Sequence, residues 1–368
     1  MRLYNKHKDI IPKGAIYIGR GSPYGNPFVI GKDGTREEVI AKYEVYLEDK
    51  INKKDKEITE ALNKLNKDSD LLCYCSPQPC HGIIIERLWI KYFNKKELNP
   101  MDDGITHINI YSRGKTKLGR ALSNFADIGI EHPVYGHFKT IEGFWCWLKT
   151  GKIHDVFRNT DGVQSKLKAK NTKLVVCNNF QQEIKTALLL KIESHQELLE
   201  ALKQSTLPLV HYYYYGSEDN CKVVIDTVNK WVIDYIEVIR MYLQGKAFKL
   251  VIAGSRGITD IDVVKKAFDI SGIPTVQIVS GGARGVDKLG EEIATIYQIP
   301  KIIFNADWDK YKSTKGKNPA GMIRNNQMAK YGTALLAIWD GVSSGTKNMI
   351  SEMEKLKKLT KVIDPSTL

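Results

Sequence analysis

The clearest pattern of hydrophobic positions lies in the C-terminal third of the chain. Two short apolar runs, residues 250–253 and residues 276–279, each end at a glycine-containing turn. Short apolar runs bounded by glycine predict buried strands. An amphipathic helix is predicted to follow the second turn at residues 286–297, and a further strand is predicted at residues 334–339. This third of the chain therefore has the strand–turn–helix order of an α/β fold.

The turns that follow these strands are rich in glycine, serine and arginine. Backbone N–H groups at a helix N-terminus attract a phosphate, and glycine lets that phosphate approach the backbone closely. In open α/β folds such turns converge at the carboxyl edge of the sheet, where ligands bind. Two alternatives stay open: the glycines only permit tight turns, or Arg256 pairs with Asp287. The predicted nucleotide-binding residues are Gly254, Ser255, Arg256, Ser280, Gly281, Gly282, Arg284, Asp287, Arg324, Asn325, Ser344, Gly345 and Thr346.

The same segment contains five motifs in a fixed order. They are GSR at residues 254–256, SGGARGVD at 280–287, ADW at 306–308, AGMIRNNQM at 320–328 and SGT at 344–346. On these motifs the C-terminal domain resembles the SLOG superfamily, in its YspA-like branch. The resemblance implies a Rossmann-like sheet that binds a nucleotide or a nucleotide-derived ligand. Related N-glycosidases have Glu soon after Gly-Thr, whereas Lys347 and Asn348 stand here, which favours binding over hydrolysis in this domain.

The middle of the chain, residues 105–247, is predicted to be mainly helical. Apolar residues at positions 141, 144, 145 and 148 recur at helical spacing and predict a buried helix face. Glu142 and Lys149, seven positions apart, share the other side of that helix. They fit either a binding site or a solvated helix face. Further helices are predicted at residues 179–191, 195–203 and 223–244, and a strand at residues 207–215.

Three pieces of the middle segment resemble the NADAR family, a helical fold related to a riboflavin-pathway N-glycosidase. They are SNF at residues 123–125, the pair of Glu142 and Lys149, and IEVIR at residues 236–240. The resemblance implies hydrolysis of an N-glycosidic bond in ribosylated bases or ADP-ribosylated guanine. The chain departs from the family at Gly143, where members usually have His, and at residues 212–222, which lack a clear Trp-Gly element.

The chemistry of such a site assigns a role to each candidate catalytic residue. Breaking the bond develops positive charge on the ribose and negative charge on the leaving base. Glu142 would stabilise the ribosyl cation or activate water. Lys149 would hold a phosphate or, if desolvated, attack the anomeric carbon. Asn124 would orient a ribose hydroxyl or a base edge.

Residues 1–100 are predicted to form a small α/β domain. Its loop at residues 19–28 offers Arg20, Ser22 and Asn26 as candidate phosphate ligands, and a purely structural turn is the alternative. Strands are predicted at residues 15–18 and 71–75, and helices at residues 35–50, 53–66 and 80–93, the first opened by a capping box of Thr35 and Glu38. A polar, proline-containing break is predicted at residues 76–79 and a linker at residues 94–104.

Four candidate metal ligands cluster near the end of this domain. Cys73, Cys75, Cys80 and His81 are a permissible zinc set. Cys73 and Cys75 would share one face of a strand, whereas the adjacent Cys80 and His81 would diverge, so a complete tetrahedron is strained. A Cys80 thiol with a lowered pKa at a helix N-terminus is an alternative. Buried packing cysteines are preferred over a bound metal.

The loop IGRGSPYGNPF at residues 18–28 and the motif CYCSPQPCHG at residues 73–82 resemble a small domain of unknown function found in bacteria and phages. The resemblance supplies no known activity. It suggests a phage-encoded protein that acts in the cytoplasm of its host.

Composition narrows the compartment and the class of ligand. The 368 residues have a formal net charge of +13, spread over the whole chain. This excess favours an anionic ligand, either a nucleotide or a nucleic acid, although a solvated lysine-rich surface explains most of the lysines. No apolar run is long enough to cross a bilayer, and the N-terminus has no signal-peptide core. Six irregularly spaced cysteines without a secretory signal indicate a reducing cytoplasm.

Three fused modules are therefore expected, at residues 1–100, 105–247 and 248–368. The fold class is multidomain α/β, with a small α/β N-terminal domain, a mainly helical α+β middle domain and a Rossmann-like C-terminal sheet. The leading hypothesis is an enzyme that hydrolyses an N-glycosidic bond of a nucleotide or ADP-ribose-type compound. A non-catalytic sensor or sponge that sequesters a nucleotide signal in phage–host conflict is the alternative, and a nucleic-acid-binding protein is the third. We expect a homo-oligomer and no membrane partner.

Overall fold

The computed structural model describes residues 1–66, 68–75, 78, 80–93, 98–175, 177–216, 221–311 and 318–368, and only the backbone of Lys91. These residues form two compact units, Met1–Leu98 and Asn99–Leu368. Two predictions lie partly outside the described residues, namely the break at Ser76, Pro77 and Pro79 and positions 94–97 of the linker. Both units contain helices and strands, so the protein is mixed α/β.

The first unit combines a small parallel sheet with three helices. The strands are β1 (Arg2–Asn5), β2 (Ile16–Tyr17) and β3 (Asp70–Cys73), in the order β1-β3-β2, and the helices are α1 (Arg36–Asn52), α2 (Lys56–Asn63) and α3 (Gly82–Tyr92). The capping box predicted for α1 is present, because the side chains of Thr35 and Glu38 each accept a hydrogen bond from the other residue's backbone N–H. α2 is shorter than predicted because Asp55 caps it at the N–H of Ile58.

The first half of the second unit is mainly helical. Buried side chains that include Phe144, Leu148, Ile184 and Ile236 form its core. Its helices are α4 (Lys117–Leu122), α5 (Ile141–Lys149), α6 (Gly162–Ala169), α7 (Phe180–Glu193), α8 (Gln196–Gln204) and α9 (Lys230–Leu243). Its strands pair as β4 (Ile108–Asn109) with β7 (Leu209–Val210), β5 (Ile130–His132) with β6 (Gly136–Phe138), and β8 (Tyr212–Tyr215) with β9 (Lys222–Ile225).

The helix predicted at residues 223–244 begins later than expected. Its first apolar residues are β-branched and form β9, which pairs antiparallel with β8. The Asp226 carboxylate then accepts hydrogen bonds from the N–H groups of Val228 and Asn229, each at 3.0 Å, and this turn separates β9 from α9. Residues 217–220, between the two strands, lie outside the described part of the chain.

The second half of this unit is built on the predicted parallel sheet. Its strands are β10 (Phe248–Gly254), β11 (Thr275–Ser280), β12 (Lys301–Ile303), β13 (Ala334–Ile338) and β14 (Leu359–Ile363), and its helices are α10 (Ile261–Ser271), α11 (Val286–Ile296), α12 (Ala320–Tyr331) and α13 (Ser344–Lys355). The strand order β12-β11-β10-β13-β14 starts in the centre and winds outward in both directions, as in doubly wound folds. Leu250 and Ile252 face one apolar layer, and Val251 and Ala253 face the other.

The helical half and the sheet half of the second unit contact each other directly. Lys249 Nζ lies 2.7 Å from Glu193 Oε1, and the Tyr235 hydroxyl donates to the carbonyl oxygen of Val276 at 2.9 Å. Val276, a residue of β11, belongs to the apolar core of the helical half. Within the described residues, no helix combines the length and the hydropathy that crossing a membrane requires.

Candidate functional site

A cavity of about 510 Å³ lies in the helical half of the second unit. Its volume is within the range of small-molecule binding pockets. It brings together all three predicted catalytic residues, Asn124, Glu142 and Lys149. The other polar or aromatic side chains that line it are Tyr111, Ser112, Arg113, Ser123, Phe125, Trp145, Lys166, His211, Tyr213, Tyr215, Asp226 and Asn229.

Helix α5 places Glu142 and Lys149 on the wall of this cavity. The Thr140 hydroxyl caps the helix by accepting the N–H of Gly143 at 3.0 Å. Gly143 is required by close packing, because a Cβ there would lie 2.3 Å from the carbonyl oxygen of Phe157. A histidine at this position would meet the same obstacle.

The helical spacing predicted that Trp145 lies on the buried face. Instead, Trp145 is partly buried against the core and lines the cavity, whereas Trp147 is buried in the core. The Trp145 ring stacks on Trp231, with centroids 5.7 Å apart and planes 12° apart. Lys149 Nζ lies 5.0 Å from the centroid of Trp145 and 5.3 Å from that of Phe180. The Glu142–Lys149 side of α5 therefore faces a cavity with an aromatic wall and not an open, solvated surface.

Burial shifts the ionisation of Glu142. It raises the pKa of this carboxyl to about 7, and the charges of Lys166 and Lys149 oppose the shift. Within the described part of the chain, no group donates a hydrogen bond to this carboxylate, although the Glu142 backbone N–H is bonded to the Asn124 carbonyl oxygen at 2.9 Å. A partly buried carboxyl without a protein partner is available to a ligand or to water.

Lys191, which sequence analysis missed, supports the loop that contains Asn124. Its side chain is completely buried on α7, and its Nζ donates to the carbonyl oxygen of Ser123 at 2.9 Å. Burial lowers the pKa of Lys191 to about 7. The sequence signal was a single lysine within the apolar run of residues 188–192.

Sequence analysis also missed the side of the cavity that strand β8 forms. Residues 211, 213 and 215 alternate along the chain and all line the cavity. His211 donates from Nδ1 to the carbonyl oxygen of Ile110 at 2.7 Å, so its Nε2 has the lone pair in the neutral ring. Burial lowers the pKa of His211, which favours that neutral ring. The sequence HYYYY had indicated only a strand.

The carboxyl edge of the C-terminal sheet forms a much smaller cavity, of about 40 Å³. That volume holds only a few water molecules. The predicted residues that line it are Gly254, Arg256, Asp287, Arg324, Asn325, Gly345 and Thr346. The predicted residues outside its lining are Ser255, Ser280, Gly281, Gly282, Arg284 and Ser344.

Charged groups at this edge are paired with one another. Arg324 lies on α12 and not in a glycine turn, and its Nη1 is 3.7 Å from Asp287 Oδ2 and donates to the Gly281 carbonyl oxygen. The partner of Asp287 is therefore Arg324 and not Arg256. Burial raises the pKa of Asp287 to about 6, while Arg324 and the backbone N–H groups of Ala283 and Gly254 oppose the shift.

The serine and asparagine side chains of the edge also have structural partners. Ser280 Oγ donates to Glu291 Oε1 at 3.0 Å, and Ser255 Oγ accepts the N–H of Asp340 at 3.3 Å. Asn325 Nδ2 donates to the Gly345 carbonyl oxygen at 3.1 Å. The first bond joins β11 to α11, the second joins the turns that follow β10 and β13, and the third joins α12 to α13.

The N-terminal unit has a cavity of about 360 Å³, to which Arg20 and Asn26 contribute. Both residues also support the loop itself, because Arg20 Nη2 donates to the Phe28 carbonyl oxygen at 3.0 Å and Asn26 Nδ2 donates to that of Val39 at 3.1 Å. Ser22 lies outside the lining and donates to the Gly19 carbonyl oxygen at 2.8 Å. All three side chains therefore have the contacts of a structural turn.

The cysteines of this unit are closer together than the sequence predicted. The sulfur atoms of Cys73, Cys75 and Cys80 all lie within 4.8 Å of one another, so the group could hold a metal ion. Cys80 and His81 do not diverge, since Cys80 Sγ is 3.9 Å from His81 Nδ1. The expected lowering of the Cys80 pKa is wrong: a hydrogen bond with Cys73 and burial raise it.

Comparison with known proteins identifies the class of the N-terminal segment. Residues 1–91 match the family described as Domain of unknown function (DUF4326). The chain belongs to this family through that segment, and the resemblance to a small bacterial and phage domain of unknown function is confirmed.

A similar protein is the uncharacterized 12.4 kDa protein in the nrdA–td intergenic region of Enterobacteria phage T4. It is 37% identical over 94 residues, which are 25% of this chain and 80% of the phage protein. No solved structure matches the chain.

Proposed function

We propose that this protein hydrolyses the N-glycosidic bond of a nucleotide or ADP-ribosyl compound in the cavity of about 510 Å³. The main support is Glu142, whose carboxyl is partly buried, has a pKa raised to about 7 and faces the same cavity as Asn124 and Lys149. A general base with a pKa near neutrality is well matched to proton transfer at that pH.

Each wall of the cavity suits one part of such a substrate. Lys149, Lys166 and Arg113 provide positive charge for phosphate groups. Trp145 and Tyr213 provide aromatic surface for a base. Glu142 in its ionised form would stabilise the positive charge that develops on the ribose, or would take a proton from the attacking water.

The experiment is to incubate the full chain with ADP-ribosylated guanosine and, separately, with cyclic ADP-ribose isomers, and to follow release of free base by chromatography. We expect base release from at least one of these compounds, and loss of that release in Glu142→Gln. Quantitative recovery of every compound unchanged would reject hydrolysis.

A second candidate function is supported by the C-terminal sheet. We propose that its carboxyl edge binds a nucleotide without cleaving it. Arg256, Arg324 and the N-terminus of α13 converge there, which supports binding of a phosphate. Lys347 follows Thr346 where hydrolytic relatives would have Glu, which argues against cleavage. Heat denaturation of the ligand-loaded protein separates the two functions: a sensor or sponge releases intact nucleotide, whereas a hydrolase releases its products.

A further inference from the structure

Three thiols meet where the central strand of the N-terminal unit ends and its last helix begins. Cys73 is the final residue of β3, Cys75 follows two positions later, and Cys80 precedes α3. We propose that Cys73, Cys75 and Cys80, together with Nδ1 of His81, bind one Zn²⁺ ion. This site is separate from the proposed glycosidase cavity and does not depend on it.

The spacing of the sulfur atoms fits a tetrahedral ion. With Zn–S bonds of about 2.3 Å, ligand sulfurs in a tetrahedron lie about 3.8 Å apart. Here Cys73 Sγ and Cys80 Sγ are 3.3 Å apart, and no pair in the group of three exceeds 4.8 Å. Side-chain movements of up to about one ångström would therefore allow all three sulfur atoms to bind the ion.

The orientation of His81 supports it as the fourth ligand. Its Nε2 lies 2.8 Å from the carbonyl oxygen of Ile18. A carbonyl oxygen only accepts, so Nε2 donates its proton and the neutral ring has its lone pair on Nδ1. That atom is 3.9 Å from Cys80 Sγ but lies outside the group of three sulfur atoms that are within 4.8 Å of one another, so the ring must move toward them to bind the ion. Histidines that ligate metals generally donate their other ring N–H to a carbonyl or carboxylate in this way.

Backbone donors would stabilise the thiolate form that a bound ion requires. The N–H of Cys75 points at Cys73 Sγ at 3.3 Å, and the N–H of Gly82 points at Cys80 Sγ at 3.4 Å. Such N–H groups stabilise negative charge on sulfur and orient it toward an ion. Cysteines that only fill an apolar core do not require donors aimed at their sulfur atoms.

The ion would have a structural task at the wall of a cavity. Cys73, Cys75 and His81 line the N-terminal cavity of about 360 Å³, beside Tyr17 and Tyr74. Four protein ligands close the coordination sphere, which is typical of structural zinc. By joining the end of β3 to the start of α3, the ion would stabilise the wall of this cavity.

The test is the metal content of the full chain, purified under reducing conditions without chelator and measured by inductively coupled plasma mass spectrometry. We expect about one Zn²⁺ per chain. Replacement by Co²⁺ should give the visible bands of a tetrahedral ion and a sulfur-to-cobalt charge-transfer band with the intensity of three thiolates.

The variants Cys75→Ser and Cys80→Ser should lose the zinc, and His81→Phe should weaken its binding. Cys177→Ser is the matched control, because that thiol is also partly buried but lies in the other unit, where it donates to Asn179 Oδ1. The control should retain both the metal and the cobalt spectrum. Far-UV circular dichroism shows which variants fold. If a variant does not fold, the cobalt spectrum of the unmodified chain still gives the number of thiolate ligands.

Three results would overturn the proposal. They are negligible zinc in the reduced protein with no charge-transfer band, a Cys73–Cys80 disulfide that persists under reduction, and full zinc binding by folded Cys75→Ser. Unchanged affinity in folded His81→Phe would reject the four-ligand set.

Discussion

The helical cavity and the carboxyl edge of the C-terminal sheet lie in the same compact unit but use their charged residues differently. In the helical cavity, the Glu142 carboxylate accepts no hydrogen bond from a described residue, and about 510 Å³ of space lies around it. At the sheet edge, Asp287 and Arg324 are paired with each other, and about 40 Å³ remains.

This difference concerns preorganisation. A carboxyl that is partly buried and accepts no hydrogen bond from the protein can meet a substrate without first breaking an internal ion pair. A buried ion pair must be opened or rearranged before a phosphate can use its arginine, and that costs part of the binding energy. The helical cavity is therefore the better candidate for chemistry, and the sheet edge is a candidate for ligand-induced rearrangement.

The largest expected effect comes from Glu142→Gln, which keeps the shape of the side chain and removes its charge. Base release should fall by about a hundredfold or more, because general-base or charge stabilisation is lost. Exposed Glu197 on α8 gives the control Glu197→Gln, which should retain activity. Equal activity in both variants would remove Glu142 from the mechanism.

The pH profile of the same reaction tests the electrostatics of the cavity. Glu142 acts in its ionised form, and its pKa is raised to about 7, so kcat/KM should rise about tenfold per pH unit below pH 7 and level off above it. An acid limb centred near the ordinary glutamate value of about 4.3 would contradict a buried Glu142 as the active group.

Nucleotide binding at the sheet edge should distinguish its two arginines. Binding of ADP-ribose is measured by titration calorimetry in a Glu142→Gln background. Both Arg256→Met and Arg324→Met should weaken this binding by about tenfold, or 1.4 kcal/mol. Only Arg324→Met should also lower the melting temperature, because it leaves Asp287 buried without its ion-pair partner. Lys330→Met, an exposed change on α12, should alter neither quantity.

The last prediction concerns Lys191. Its folded pKa of about 7 lies below the ordinary lysine value, so the unfolded chain binds more protons near neutrality and stability should rise with pH through about pH 7. Between about pH 6 and pH 8 this group alone should add about 1.4 kcal/mol to the free energy of unfolding.

Lys191→Met should remove that increment from the urea-denaturation free energies, while exposed Lys203→Met on α8 should preserve it. Identical pH dependence in the unmodified chain and in Lys191→Met would show that Lys191 is not the titrating group.

Local rules predicted much of this architecture. The strand–turn–helix pattern located β10, β11 and β13, and the seven-residue spacing of Glu142 and Lys149 placed them on one side of α5. These features depend on helical and strand periodicity, which is visible in any short window of sequence.

Features that depend on distant contacts were missed. The buried Lys191 side chain donates a hydrogen bond to a carbonyl oxygen 68 positions away, and no local pattern signals that contact. Arg324 reaches the Gly281 turn from a helix, a contact between residues 43 positions apart that no local pattern signals. The three thiols converge near the end of β3 and the start of α3, a proximity that their spacing along the chain did not reveal.

The Lys249–Glu193 ion pair has a practical consequence for dividing the chain. Lys249 Nζ also lies 4.2 Å from the ring centroid of Tyr331 and 5.4 Å from that of Tyr242, so aromatic rings from both halves surround one ammonium group. A polypeptide that stopped at residue 247 would leave Glu193 without this cation and Tyr235 without its acceptor. Residues 99–368 should therefore be expressed and crystallised as one piece, and a protease should cut between the halves only after the whole piece has unfolded.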